Sequence, residues 1–220
     1  MNKKFTDIAK KSKVIVIKVG SNILVNDKHS LRKKWLGTLV SDVQKLRRKG
    51  SKVIIVSSGA IALGRNILSK KKLTNLHEKQ AAASIGQIQL SQQWQKAFAK
   101  EKIQSSQILI TAEDLNERRK YLNIRNTIFS LMDLNVIPII NENDTTSTEE
   151  IRFGDNDKLS AMITNALSAE LLILLSDVNG LYNSNPKKSL DAKLITDVDE
   201  INQDLEKFID KDLSEFGSGG

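Results

Sequence analysis

One lysine interrupts an otherwise apolar run, Val14-Ile15-Val16-Ile17-Lys18-Val19, just before Gly20-Ser21-Asn22. An ammonium in such a run is costly to bury unless it meets an anion or its stem carries the charge out to water. Two readings follow: a strand-end lysine that reaches solvent, or an amine placed at a phosphate, with Gly20 letting backbone N–H groups approach closely. Small or polar turns close three further apolar runs: Ser57-Ser58-Gly59-Ala60, Asn141-Glu142-Asn143-Asp144 and Ser176-Asp177-Val178-Asn179-Gly180. A further polar segment is Gly154-Asp155-Asn156-Asp157-Lys158. Asn and Asp are preferred helix caps, so a helix starting near Lys158 explains one of Asp155, Asn156 and Asp157. The remaining carboxylate and amide stay available for a substrate amine, a lysine or a metal.

Several standard motifs are excluded. Gly59 and Gly64 have the spacing of a P-loop, but Arg65 and Asn66 follow where that motif needs Lys and Ser or Thr. No GxGxxG, HExxH, EF-hand loop or GxSxG occurs. The two histidines, His29 and His77, sit among polar and lysine-rich neighbours and read as surface residues.

The elements that must position these groups are legible from periodicity. Apolar, β-branched runs at Val14–Val19, Val53–Val56, Ile108–Ile110, Val136–Ile140 and Leu171–Leu175 are strand candidates. Helical spacing fills the intervals: Leu31–Arg48 (Leu31, Trp35, Leu39, Val43, Leu46), Glu78–Lys100 (Ala82, Ile85, Ile88, Trp94), Arg118–Asn135 and Lys158–Ser168. Strands apolar throughout, alternating with helices, predict an α/β fold: a three-layer α/β/α sandwich with a mainly parallel central sheet. Ligands bind such sheets beyond the carboxyl ends of the strands, where the polar turns gather.

Composition bounds the rest. A chain of 220 residues with 40% hydrophobic and 27% charged residues can bury one large core. The absence of cysteine excludes disulfides, Cys-based zinc sites and thiol catalysis, and fits a reducing cytoplasm. No stretch approaches the apolar length of a membrane span, and VIVI is too short for a signal peptide core. The net charge of +8 favours anionic partners. Nucleic acid is one such class, given clusters such as Lys70-Lys71-Lys72. However, aromatics are only 5% and no nucleic-acid motif is present, so a solvated basic surface is the better reading.

Taken in order, the segments IVIKVGSNIL, VIIVSSGAIALGR, AAASIGQ, RNTI, VIPIINENDTT, EIRFGDNDKLSA, LLILLSDVNGLY and FGSGG resemble the amino acid kinase family over nearly the whole chain, from residue 14 to 220. The INEND and FGDND pair is similar to the members that phosphorylate the side-chain carboxylate of glutamate for proline synthesis. The other segments are shared more widely with carbamate, acetylglutamate, uridylate and aspartate kinases. The resemblance implies ATP and Mg²⁺ as cofactors, L-glutamate as substrate, and a cytoplasmic homo-oligomer. It implies that Lys18 contacts the phosphates of ATP and the phosphoryl group in transit. Ser58, Asp144 and Asn156 hold glutamate, with Asp144 facing its ammonium, while Asp157 orients the catalytic lysines. Gly20 and Gly59 bring backbone to the phosphoryl centre, and Ser176, Asp177, Ser218, Gly219 and Gly220 fall at nucleotide-contacting positions.

The family's last motif resembles Gly-Thr/Ser-Gly-Gly-Met-x-Thr-Lys, of which this sequence holds Gly217-Ser218-Gly219-Gly220. The expectation is therefore a basic N-terminal extension over residues 1–13 and a kinase domain over 14–220, incomplete at its C-terminal end and without a PUA domain. With the second phosphate-binding lysine missing, activity is expected to be greatly reduced. The competing expectations are a glutamate-binding module that does no chemistry, and a sibling kinase with another acidic substrate.

Overall fold

The computed structural model describes residues 3–69, 72–146, 156–186 and 188–201. Every expected strand forms: β1 Val14–Val19, β2 Lys52–Ser57, β3 Ser105–Ile110, β4 Ile137–Glu142 and β5 Leu171–Leu175. They make one parallel sheet in the order β3-β4-β2-β1-β5. The interiors of β1 and β2, Val14–Ile17 and Val53–Val56, are apolar because both faces of the sheet are covered, so no solvent side selects polar residues there. The ladder between β2 and β4 has only two rungs, Ile55↔Ile139 and Val56↔Ile140, and begins just after Pro138, which has no N–H to give. β6 Leu181–Tyr182 and β7 Leu194–Ile195 form a separate small hairpin.

Helices cover both faces, giving the three layers. They are α1 Lys3–Lys11, α2 Ser21–Leu24, α3 Lys33–Arg48, α4 Ala60–Ile67, α5 Leu76–Lys100, α6 Ala112–Asn116, α7 Arg118–Asp133 and α8 Asn156–Ala166. On one face Ile15, Ile17, Val53 and Ile55 pack against Leu36 and Val40 of α3, Leu63 of α4, and Leu90, Trp94 and Phe98 of α5. On the other, Val16, Ile54, Val56 and Ile140 pack against Leu115 of α6, Ile128 and Met132 of α7, and Leu159 and Ile163 of α8. The basic extension is helical from Lys3 and is held by Ser12, whose carbonyl accepts from Ser51 Oγ at 2.8 Å.

Two sequence expectations are corrected. The inward row of α5 is Ala82, Gly86, Leu90, Trp94 and Phe98, whereas Ile88 is 65% exposed. The cause is a glycine contact that hydrophobic periodicity cannot register. A Cβ on Gly86 would stand 1.8 Å from Ala60 O, and one on Gly64 1.7 Å from Ala82 O, so α4 and α5 touch backbone to backbone. That contact turns Gly86 inward and Ile88 out. The second correction is the start of α8, which includes Asn156 and Asp157 in its first turn instead of following them.

Candidate active site

Side-chain parity along β1 decides where Lys18 points. Ile15, Ile17 and Val19 face the layer of α3, α4 and α5, so Val16 and Lys18 face α8. There Lys18 Nζ lies 2.7 Å from Asp157 Oδ1, with the lysine side chain 6% exposed and the aspartate 49%. The aspartate sits in the first turn of α8, where a carboxylate also complements the helix dipole. The one charge in the β1 run is thus neither snorkelling nor unpaired: it is buried at the carboxyl edge of the sheet on a partly hydrated counter-ion.

The neighbouring residue links the other strand ends. Asn156 Nδ2 donates to Ser58 Oγ at 2.8 Å and to Asn141 Oδ1 at 3.1 Å. Asn141 Nδ2 in turn donates to Gln87 Oε1 of α5 at 2.8 Å. Beneath them Trp94 Nε1 donates to Ser57 Oγ at 2.8 Å, anchoring the turn that carries Ser58. Adjacent residues of one helical turn therefore hold Lys18 and Ser58, bringing the ends of β1, β2 and β4 to one place.

Asp144 lies just beyond β4 and is buried, at 8% exposure. Burial, and after it the neighbouring Glu142 carboxylate, push its carboxyl up to about 7. Glu142, Asp144 and Gln87 line one cleft of about 300 Å³ between α5 and the ends of β3 and β4.

The two glycines differ in what they supply. The Gly20 N–H is donated to Leu175 O at 3.1 Å, and its φ is −69°, so its contribution is space. A Cβ there would lie 3.2 Å from that carbonyl and 3.7 Å from Lys18 Nζ. Gly59 has φ 112°, a left-handed conformation that a side chain would strain, and it starts α4 directly after Ser58. Ser176 and Asp177 follow β5, which pairs with β1 through Val19↔Leu175, so they flank the Lys18 end of the sheet. Asp155, Ser218, Gly219 and Gly220, and part of the Lys70-Lys71-Lys72 cluster, lie outside the described residues.

The structure thus gathers Lys18, Ser58, Asn156 and Asp157 through direct contacts. It adds three residues to which the sequence assigned no role: Gln87, Asn141 and Glu142. Asn141 and Glu142 are buried polar ends of a strand, and that incongruity was a usable signal. Gln87 gave none, being one of six glutamines in α5. Among the described residues no group of three or more His, Cys, Asp or Glu side chains could hold a metal, and no helix is long and apolar enough to cross a membrane.

Known proteins resemble this chain in both sequence and architecture. Residues 13–220 match the amino acid kinase family. The glutamate 5-kinase of Pelagibacter ubique is 49% identical over 212 residues, covering 96% of this chain and 58% of that enzyme. The glutamate 5-kinase of Nitrosospira multiformis is 46% identical over 218 residues, covering 97% and 58%. The chain therefore spans somewhat over half the length of these curated relatives. Among solved structures, an isopentenyl phosphate kinase superposes with TM-score 0.62 at 19% identity, over 90% of this chain and 84% of that one. The UMP kinase of Bacillus anthracis gives TM-score 0.57 at 18% identity, over 83% and 72%. These two share the layered fold, and the sequence match over almost every residue goes further: the chain belongs to the amino acid kinase family.

Proposed function

We propose that this chain carries the catalytic domain of a glutamate 5-kinase, which transfers the γ-phosphoryl group of ATP to the side-chain carboxylate of L-glutamate as the first step of proline biosynthesis. The observation that carries the reading is the junction at Asn156 and Asp157, where a buried cation and a polar substrate cradle meet on one helical turn. The relatives named glutamate 5-kinase support the choice of acceptor.

In this reading a carboxylate oxygen of glutamate attacks the γ-phosphorus while the bond to the ADP oxygen breaks, giving L-glutamyl 5-phosphate and ADP. No proton is transferred, because the carboxylate is already ionised near neutral pH, so no general base is required. The obstacle is repulsion between two anions, which positioning and fixed positive charge overcome. Lys18 supplies that charge and Asp157 holds its amine in place. Gly20 keeps the space beside the amine open, and Gly59 turns the backbone so that Ser58 and the start of α4 face the same centre. Ser58 and Asn156 bind glutamate, with Asp144 as partner of its ammonium. Ser176 and Asp177 bind the nucleotide, joined by Ser218, Gly219 and Gly220. Mg²⁺ belongs to the proposal as part of the substrate Mg·ATP, held chiefly by the phosphates, since among the described residues no group of three or more His, Cys, Asp or Glu side chains could hold a metal. The same reading makes the protein a cytoplasmic homo-oligomer, which sedimentation of the purified protein tests.

Trapping the acyl phosphate with hydroxylamine tests the chemistry. Glutamate, aspartate and N-acetylglutamate are offered separately to the wild type and to Lys18→Ala. Hydroxamate is expected from glutamate alone, and Lys18→Ala is expected to lower the rate by at least about a hundredfold, the scale for removing one transition-state donor. Product from aspartate in place of glutamate overturns the assignment. Glutamate binding without any hydroxamate favours a module that binds and does no chemistry.

A further inference from the structure

Three carboxamides and a hydroxyl run from α5 to the substrate cradle, and each hydrogen bond fixes the direction of the next. Gln87 Nε2 donates to Ser91 Oγ at 3.1 Å, which leaves Gln87 Oε1 to accept from Asn141 Nδ2 at 2.8 Å. Asn141 must then turn its oxygen toward Asn156, and that oxygen accepts from Asn156 Nδ2 at 3.1 Å. The second proton of Asn156 Nδ2 goes to Ser58 Oγ at 2.8 Å. A carboxamide has two N–H protons and one carbonyl oxygen. With both protons engaged, the group Asn156 has left is Oδ1, a buried acceptor with no partner among the described residues, on a residue 3% exposed. Reversing the run of amides would leave N–H groups there instead. Ser58 Oγ, by accepting from Asn156, keeps its own proton to donate.

We propose that Gln87 is a positioning residue: acting through Asn141, it holds the Asn156 carboxamide with its oxygen free for a ligand ammonium. The site then selects amino acids over acids that lack the amine. This rests on the glutamate reading above and extends it to two residues that do not touch the substrate. An unmatched buried acceptor is costly, so a ligand that donates to it is favoured over one that cannot. Neither Gln87 nor Asn141 needs to approach the ligand for this; they set the polarity of the group that does. A Gln87 that only fills space predicts no effect on ligand choice once its volume is kept.

Calorimetric titration with glutamate and with glutarate, which is glutamate without the amine, distinguishes the two roles in the wild-type chain, Gln87→Met and Gln87→Glu. The wild type is expected to prefer glutamate. Gln87→Met keeps the volume but removes the acceptor for Asn141, and is expected to cut that preference by about fivefold or more, given what a hydrogen bond to a charged group contributes. Its affinities for glutarate and ATP are expected to stay within about twofold. Gln87→Glu still accepts from Asn141 and is expected to retain the preference. Should Gln87→Met fail to fold, as judged by circular dichroism, Asn141→Leu cuts the same run one link on and is expected to show the same loss. An unchanged glutamate-to-glutarate ratio in the altered chains, or equal weakening of both ligands, overturns the positioning role. A wild type that binds glutamate no better than glutarate overturns the glutamate reading itself, and this inference with it.

Discussion

Asp144 is a buried carboxyl that the ligand-free protein holds at a cost and that the proposed function turns to use. Its folded carboxyl is raised to about 7 from an ordinary value of 3.8, first by burial and then by Glu142. The raised value means folding favours the protonated form, so this contribution to stability is complete below pH 3.8 and is lost as pH rises toward and through 7. Asp144→Asn is therefore expected to stabilise the ligand-free chain at pH 8, by on the order of 2–4 kcal/mol, with the gain shrinking toward zero near pH 4. Urea denaturation at the two pH values checks it. A ligand ammonium reverses the balance by favouring the carboxylate, so glutamate binding below pH 7 is expected to release a proton. Its calorimetric enthalpy should then depend on the ionisation heat of the buffer, and its apparent affinity should fall from pH 8 to pH 6. The sequence exposed Lys18, because a charge in an apolar run is anomalous wherever the chain goes. Residue types alone could not choose its partner among Asp155, Asn156 and Asp157; the family resemblance pointed to Asp157, and helix phase puts Asp157 on Lys18 and Asn156 on Ser58.

Among the elements, the crossing of α4 and α5 governs the site without contributing a charge. Gly86 meets Ala60 O and Gly64 N, and Gly64 meets Ala82 O, at distances no Cβ tolerates. Gly86→Ala and Gly64→Ala are each expected to destabilise the chain by about 3 kcal/mol or more, the upper range of overpacking, because the obstructing atoms are backbone and cannot rotate away. Gly86→Ala should also weaken glutamate binding, since the next residue is Gln87. Gly37 in α3 is the control: nothing lies within 4 Å of its added Cβ, so Gly37→Ala is expected to be neutral or to stabilise by up to about 1 kcal/mol. Denaturant midpoints for the three variants decide the matter. Periodicity located α5 within two residues at its start, yet assigned Ile88 inward, because hydrophobic spacing records which residues can be buried and not which helix will pack against them. It also passed over α4, whose short run begins at a left-handed glycine with no side-chain cap to announce it.

For the molecule as a whole, the site is held in place at some cost to stability. Lys18 is almost fully buried, while Asp157 keeps half its surface in water and can be hydrated alone. Lys18→Met, which preserves length and removes the ammonium, is therefore expected to leave the thermal midpoint unchanged or raised while abolishing hydroxamate formation. The surplus of +8 is a separate matter from that single amine. Part of it stands at the opposite end of the sheet, where Arg47 donates to Asn135 O and Lys52 pairs with Asp133 beside the C-termini of α3 and α7. Cations are favourable at such helix ends. The sequence by itself determined the layered parallel sheet, because covered strands must be apolar throughout, and it determined that polar turns would collect beyond the strand ends. Only the tertiary structure decided which of those groups meet. Strand order set β1 between β2 and β5, parity aimed Lys18 at α8, and a glycine-lined helix crossing brought Gln87 into the amide run. Those contacts join residues far apart in the chain, and a linear pattern records the nature of each partner but not the path that brings them together.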